Sequence, residues 1–161
     1  METSYTGIYP YMRAKEEFSG CLAGNLRAAA RTVSRLYDDA LRESGLRITQ
    51  LAVLAQVRRS EPVTASELAS AMSAERSATA RDLKLLEGGG LVRARPRTTD
   101  RRAREYSLTD LGRSRLREAA PAWRRAQAQA RDYIGAEAVD DLVGLTIGVV
   151  ERVPTRPEAA S

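Results

Sequence analysis

Nine basic residues stand between positions 76 and 104: Arg76, Arg81, Lys84, Arg93, Arg95, Arg97, Arg101, Arg102 and Arg104. Only three acids, Asp82, Glu87 and Asp100, offset them, and the surplus of six exceeds the +5 of the whole 161-residue chain. One short window therefore carries the entire excess of positive charge. Such a concentrated field suits a polyanion. All but Lys15 and Lys84 of the 26 basic residues are arginine. A guanidinium fork matches phosphate or the edge of guanine through paired hydrogen bonds better than an ammonium does. A solvated charged face is the plain alternative, and the elements that position these side chains decide between the two.

Catalysis has little to work with. The chain has no histidine, which removes the commonest general base and metal ligand. There is no Gly-rich phosphate loop, no cluster with metal-ligand spacing and no nucleophile–base pair. Asp38-Asp39 and Asp140-Asp141 are adjacent pairs, which face apart on a helix. Neither an enzyme nor a cofactor or metal is expected. Cys21, the single cysteine, has no partner for an internal disulfide. No apolar run is long enough to span a membrane, and the start shows no secretory pattern. The expectation is a cytoplasmic protein without membrane contact.

With 43% hydrophobic but only 5% aromatic residues, the core must rest on Leu, Val and Ala, which favours helices. Residues 1–12, with Tyr5, Tyr9 and Tyr11 around Pro10, read as an N-terminal arm. From Arg13 to Ser44 the positions Phe18, Leu22, Leu26, Ala29, Val33, Leu36 and Ala40 share one face of a helix, which Gly45 ends. A helix of about 30 residues is about 45 Å long, more than one small domain covers, so a second copy of the chain is the natural partner. A second helix is expected from an N-cap at Thr49, with Leu51, Leu54 and Val57 inward. A short third starts at Thr64, where Thr64-Ala65-Ser66-Glu67 has capping-box spacing, and ends near Met72. A fourth runs from Ala74 to Glu87 with Leu83 and Leu86 inward, and Gly88-Gly89-Gly90 stops it. Residues 91–95 and 104–108 then read as strands flanking an Arg-rich loop. Thr109-Asp110 caps a fifth helix reaching Tyr133, bent near Pro121. Gly135 separates it from a last helix, 136–150, whose apolar side holds Val139, Leu142, Val143, Leu145 and Val149.

Helix, short helix, tight turn, helix and basic hairpin make a winged helix–turn–helix. The fold class is mainly α (α+β), with long N- and C-terminal dimerisation helices. Residues 13–48 and 111–152 would dimerise, 49–110 would form the DNA-binding lobe, and 153–161 would be a flexible tail. The fourth helix fits a major groove and the hairpin reaches the backbone or minor groove. Recognition-helix candidates are Ser73, Glu75, Arg76, Ser77, Thr79 and Arg81. Wing candidates are Arg95, Arg97, Asp100, Arg101 and Arg102. Dimer-seam candidates are Phe18, Leu22, Trp123, Leu142, Leu145 and Val149.

Across residues 14–152 the chain resembles the MarR family of transcriptional regulators. The resemblance is carried by Leu46-Arg47-Ile48-Thr49-Gln50, Glu67-Leu68-Ala69, Arg81 with Leu83, Leu86 and Glu87, and above all by the wing. There Gly90-Leu91-Val92 leads to Asp100-Arg101-Arg102-Ala103 and then Leu108-Thr109-Asp110-Leu111-Gly112. Ser73 stands where the family has glycine. The resemblance implies a homodimer that binds double-stranded DNA at a pseudo-palindromic operator, acting as a repressor. It also implies an ion pair between Asp100 and Arg102 that shapes the wing, with Arg101 entering the minor groove. Release by a small molecule, often an aromatic acid, is a further implication, with Cys21, Asn25, Arg27, Arg31 and Tyr37 as candidates for its pocket. One branch of the family senses hydroperoxides through a first-helix cysteine. That position would fall at about Ala23, two residues and about 200° from Cys21, so an inert, partly buried thiol is the expectation and redox sensing the alternative. An architectural protein binding any duplex is the alternative from another class.

Overall fold

Helix α1 (Leu22–Leu41) is the first element of the computed structural model, which describes residues 20–100 and 102–153. The chain divides into two compact units, residues 1–36 and 37–161. In the first, Gly20 has φ +79°, a left-handed conformation that a continuing helix cannot contain. Among the described residues the helix therefore starts at Leu22, whereas the pattern runs it through Gly20. Phe18 and the arm lie outside the described residues, as does the tail from 154 onward. Before the first helical residue, the Cys21 carbonyl accepts the amide of Asn25 at 3.0 Å and its side-chain Nδ2 at 2.9 Å.

The second unit begins with the last turn of α1, which tightens into a 3₁₀ turn at Arg42–Ser44 and stops at Gly45, φ +69°. Helix α2 follows (Ile48–Ser60). Its start differs from the Thr49 cap expected from sequence. The Arg47 amide donates to Gln50 Oε1 at 3.0 Å and the Ile48 amide to Asp38 Oδ1 at 2.7 Å, so orphan donors are satisfied from Arg47 onward, ahead of Thr49. Then come β1 (Val63–Thr64), α3 (Ala65–Ala71), α4 (Arg76–Gly88), β2 (Val92–Pro96), β3 (Arg104–Leu108), α5 (Asp110–Ile134) and α6 (Ala136–Arg152). The three strands form one antiparallel sheet in the order β1-β3-β2. Sequence patterning missed β1, because two residues are too few to show a period of two.

The core gathers Leu41, Leu54, Val57, Leu68, Leu83, Leu86 and Leu108, all fully buried, with Val63, Leu91, Val92 and Leu116 around them. Helix α5 meets it through Leu116, Ala119 and Ala122; Gly112, Ala126 and Ala130 are also buried. It runs unbroken through Pro121. Beyond Gly135 (φ +96°), α6 is tied back to α5 by the paired Arg131–Asp140 contacts of 2.5 and 3.2 Å. Among its residues only Val139 is buried. No helix of the described residues is long and apolar enough to cross a membrane.

Candidate nucleic-acid interface

The helix–turn–helix is built around two caps. Thr64 Oγ1 accepts the Glu67 amide at 3.2 Å, and Glu67 Oε2 accepts the Thr64 amide at 2.8 Å, the reciprocal pair that the Thr-x-x-Glu spacing predicts. Helix α3 then ends in a tight turn. The Ser73 amide reaches Ser70 O at 3.1 Å, the Ala74 amide reaches Ala69 O at 2.9 Å, and Ser73 itself sits at φ +48°. A serine thus occupies the left-handed position where glycine costs least.

Helix α4 is preceded by Glu75 in extended conformation. Its exposed residues at the start are Glu75, Arg76, Ser77 and Arg81, with Ala78 and Ala80 between them. Arg76, Arg81 and Lys84 have no ion-pair partner among the described residues. Thr79 departs from its sequence grouping with this outward set. It is buried at 3% exposure, and its hydroxyl donates to the Glu75 carbonyl at 3.1 Å. Position 79 lies one turn before Leu83 and therefore shares that residue's inward face.

The wing is the β2–β3 hairpin, in register from Val92↔Leu108 to Pro96↔Arg104. Its inner end is fixed by Glu61, which accepts the Leu108 amide at 2.6 Å and pairs with Arg113 at 2.5 Å. Thr109 caps α5 and at the same time donates its hydroxyl to Gly90 O at 2.6 Å. The next turn packs so closely that a Cβ on Gly112 would lie 2.0 Å from the Leu91 carbonyl oxygen. These contacts seat the hairpin on the start of α5.

At the outer end two expectations change. Asp100 and Arg102 do not form an ion pair; Asp100 Oδ1 accepts the Arg102 backbone amide at 2.9 Å, and the Asp100 carbonyl accepts the Ala103 amide at 3.0 Å. The aspartate shapes the loop by mimicking a backbone turn, which leaves the Arg102 guanidinium exposed. Arg97, grouped by sequence with the DNA-facing arginines, is held by two carboxylates. Its Nη1 lies 2.9 Å from Glu67 Oε1 and its Nε 3.1 Å from Glu105 Oε1. The Thr64 amide, its hydroxyl and Arg97 together hold the Glu67 carboxyl below the ordinary glutamate range. Arg104 is likewise paired, 2.8 Å from Glu87 and 5.9 Å over the Tyr106 ring. Arg93, Arg95 and Arg102 remain exposed without an ion-pair partner among the described residues. Arg101 lies outside those residues. The capping-box spacing makes one Glu67 oxygen legible; nothing in the sequence marks the other as the partner of a residue thirty positions away.

Comparison with known proteins agrees with this geometry. The MarR family model matches residues 46–103, from the start of α2 to the wing. The transcriptional regulator MosR of M. tuberculosis is 34% identical, with 82% of this chain and 97% of that one covered at a TM-score of 0.69. The chain belongs to the MarR family. MosR has also been solved in complex with DNA, and that structure covers 83% of this chain and 99% of its own at a TM-score of 0.68 and 34% identity. Wild-type MarR from E. coli, 22% identical with a TM-score of 0.65 over 80% of this chain and 96% of its own, shares the fold. A comparison with curated protein sequences gives no match.

The remaining candidates of this MarR-family chain divide between the units. Cys21, Asn25, Arg27 and Arg31 lie in the first. Cys21 is exposed rather than partly buried, as expected of a residue just outside a helix start, and Arg27 and Arg31 are exposed while Asn25 is half-buried. Tyr37 belongs to the second unit, where its hydroxyl donates to Gln127 Oε1 and burial pushes the phenol upward. Of the seam candidates, Leu22, Trp123, Leu142 and Leu145 are exposed in the single chain, and Val149 is half-buried. No group of acids and cysteine able to hold a metal occurs among the described residues.

Proposed function

We propose that this MarR-family regulator is a sequence-specific repressor, acting as a homodimer on a pseudo-palindromic DNA operator in the cytoplasm. The observation that carries the reading is the split among its cations. Arg76, Arg81 and Lys84 on α4 and Arg93, Arg95 and Arg102 on the hairpin face solvent without carboxylate partners among the described residues. The exposure of Arg76 and Ser77 at the start of α4 supports that end as the one that would enter the major groove; the hairpin arginines would reach the flanking backbone and, on the family resemblance, Arg101 the minor groove. The dimer is supported by α6, whose Leu142, Val143, Leu145, Ile147 and Val150 are all exposed in one chain. A two-fold pair would space two α4 helices for half-sites about one DNA turn apart. Control by a small effector rests on the family resemblance, and an effector at Tyr37 would have to compete with Gln127 for its hydroxyl.

Fluorescence anisotropy at about 0.15 M salt tests the reading, on duplex from upstream of the gene and on a scrambled control. The expected outcome is a preference of about 10³ or more. Equal affinity for the two duplexes, and for duplexes enriched from a random library, would instead favour an architectural protein.

A further inference from the structure

We propose that Arg97 is a positioning residue of the wing: gripped by Glu67 of α3 and Glu105 of β3, it sets the hairpin on the helix–turn–helix instead of contacting DNA. The inference rests on the DNA-binding reading above. The outer end of the hairpin has little else to hold it. Strand β1 pairs with β3 only at Tyr106 and Glu105, so Pro96, Arg97, Ala103 and Arg104 lie beyond the third strand. A two-stranded hairpin is marginal alone. Among the described residues, two ion pairs join this end to the helices: Arg97 to Glu67 on α3, and Arg104 to Glu87 on α4.

Arg97 is well placed for the task. Its backbone amide closes the hairpin on Ala103 O at 2.8 Å, so its main chain is fixed while its guanidinium spans to α3. Glu67 divides its two oxygens between tasks, Oε2 capping α3 at the Thr64 amide and Oε1 receiving Arg97. The residue that starts the supporting helix thereby also sets the wing. Turning Arg97 toward a phosphate would leave Glu67 and Glu105 as unpaired anions beside DNA, which like-charge repulsion opposes. Half-exposed ion pairs contribute little to global stability, so losing this one should alter the hairpin's pose before it alters folding.

The test compares wild type, Arg97→Gln, Glu67→Gln and the double variant on a duplex of about 24 base pairs, long enough for two half-sites. The duplex is one enriched by the wild type from a random library, and affinity is read across a salt series. Glutamine at position 67 can still cap the Thr64 amide, so it removes the bracket and spares the helix start. The expected result is a loss of about fivefold for each single variant, as the competent wing pose becomes less populated. The double variant should be no weaker than either single, the salt slope should be unchanged, and the melting temperature should stay within about 3 °C. The Glu67→Gln result discriminates by sign, since merely deleting an anion near DNA strengthens binding. A slope lowered by about 0.9 per lobe in Arg97→Gln, with Glu67→Gln binding as well as or better than wild type, would make Arg97 a phosphate contact and overturn the proposal. Wild-type affinity in all variants would overturn it too. Failure of the wild type to prefer the enriched duplex over a scrambled one would remove the DNA reading itself, before any variant is compared.

Discussion

Helices α5 and α6 are joined at one glycine yet stand in opposite states. Along α5, Gly112, Leu116, Ala119, Ala122, Ala126 and Ala130 are buried, and the helix closes the core of the second unit. Along α6, Val139 alone is buried, while Leu142, Val143, Leu145, Ile147 and Val150 face solvent. Small residues let α5 approach its neighbours closely, whereas α6 presents large branched side chains with nothing on them. An exposed apolar stripe of this extent is what the dimer proposed above would cover. On the proposed dimer, the difference separates two kinds of stability, one that a single chain completes and one that a second copy would supply.

The largest effect should come from breaking the incomplete side. Leu145 is 69% exposed, so Leu145→Lys should leave the fold of one chain intact. In a two-fold dimer the change occurs twice, and losing two buried leucines at roughly 2 kcal/mol each weakens association by about a thousandfold. Sedimentation equilibrium measures this, with circular dichroism to show that helix content persists. A monomeric wild type at micromolar concentration would remove α6 from the seam.

The complementary variant attacks the finished side. Gly112→Ala places a Cβ 2.0 Å from the Leu91 carbonyl oxygen, and backbone cannot swing aside as a long side chain can. The first turn of α5 must lift from the hairpin, at a cost of about 3 kcal/mol, the upper end for overpacking. Chemical denaturation should show a lower midpoint with little change in slope.

How far these features were legible in sequence follows from their range. Apart from the two-residue β1, the order of elements was readable because each leaves a local trace: capping-box spacing at Thr64, glycines at the end of α4, Thr109-Asp110 before α5. Three-and-four spacing also placed Leu83 and Leu86 inward, and the same rule applied to Thr79 would have taken it off the DNA-facing list. What could not be read is what spans distance. Arg97 meets Glu67 across thirty positions, Glu61 meets Arg113 across fifty-two, and Tyr37 meets Gln127 across ninety. The ion pair expected between Asp100 and Arg102 failed for a local reason, since the shorter path from carboxylate to the amide two residues on wins over the longer one to the guanidinium.

Tyr37 supplies a smaller effect that sharpens the finished side. Its hydroxyl joins the end of α1 to α5 through Gln127, and Tyr37→Phe should cost about 1 kcal/mol, the net worth of one hydrogen bond. Burial raises the phenol above its ordinary 10.0 in the folded state, so the folded form keeps its proton longer than the unfolded one. Stability from this group is therefore complete below pH 10.0 and falls as pH rises toward the folded value. Thermal melts across that range should decline less steeply in Tyr37→Phe than in wild type. Parallel declines would mean that other groups govern the alkaline limb.

The smallest effect lies at the turn between α3 and α4. Ser73 holds φ +48°, and a residue with a Cβ is strained there by about 1 kcal/mol. Glycine relieves that strain but loosens the unfolded chain, which returns part of the gain. The balance for Ser73→Gly should be a stabilisation of roughly 0.5 kcal/mol, visible as a slightly higher denaturation midpoint. Ser73→Ala separates the two contributions, since it keeps the strain and removes only the hydroxyl. If alanine destabilises while glycine is neutral, the serine hydroxyl offsets part of the turn's strain, and this chain has its own solution at a position where glycine costs least. If alanine matches serine and glycine exceeds both, backbone conformation alone sets the stability of the turn.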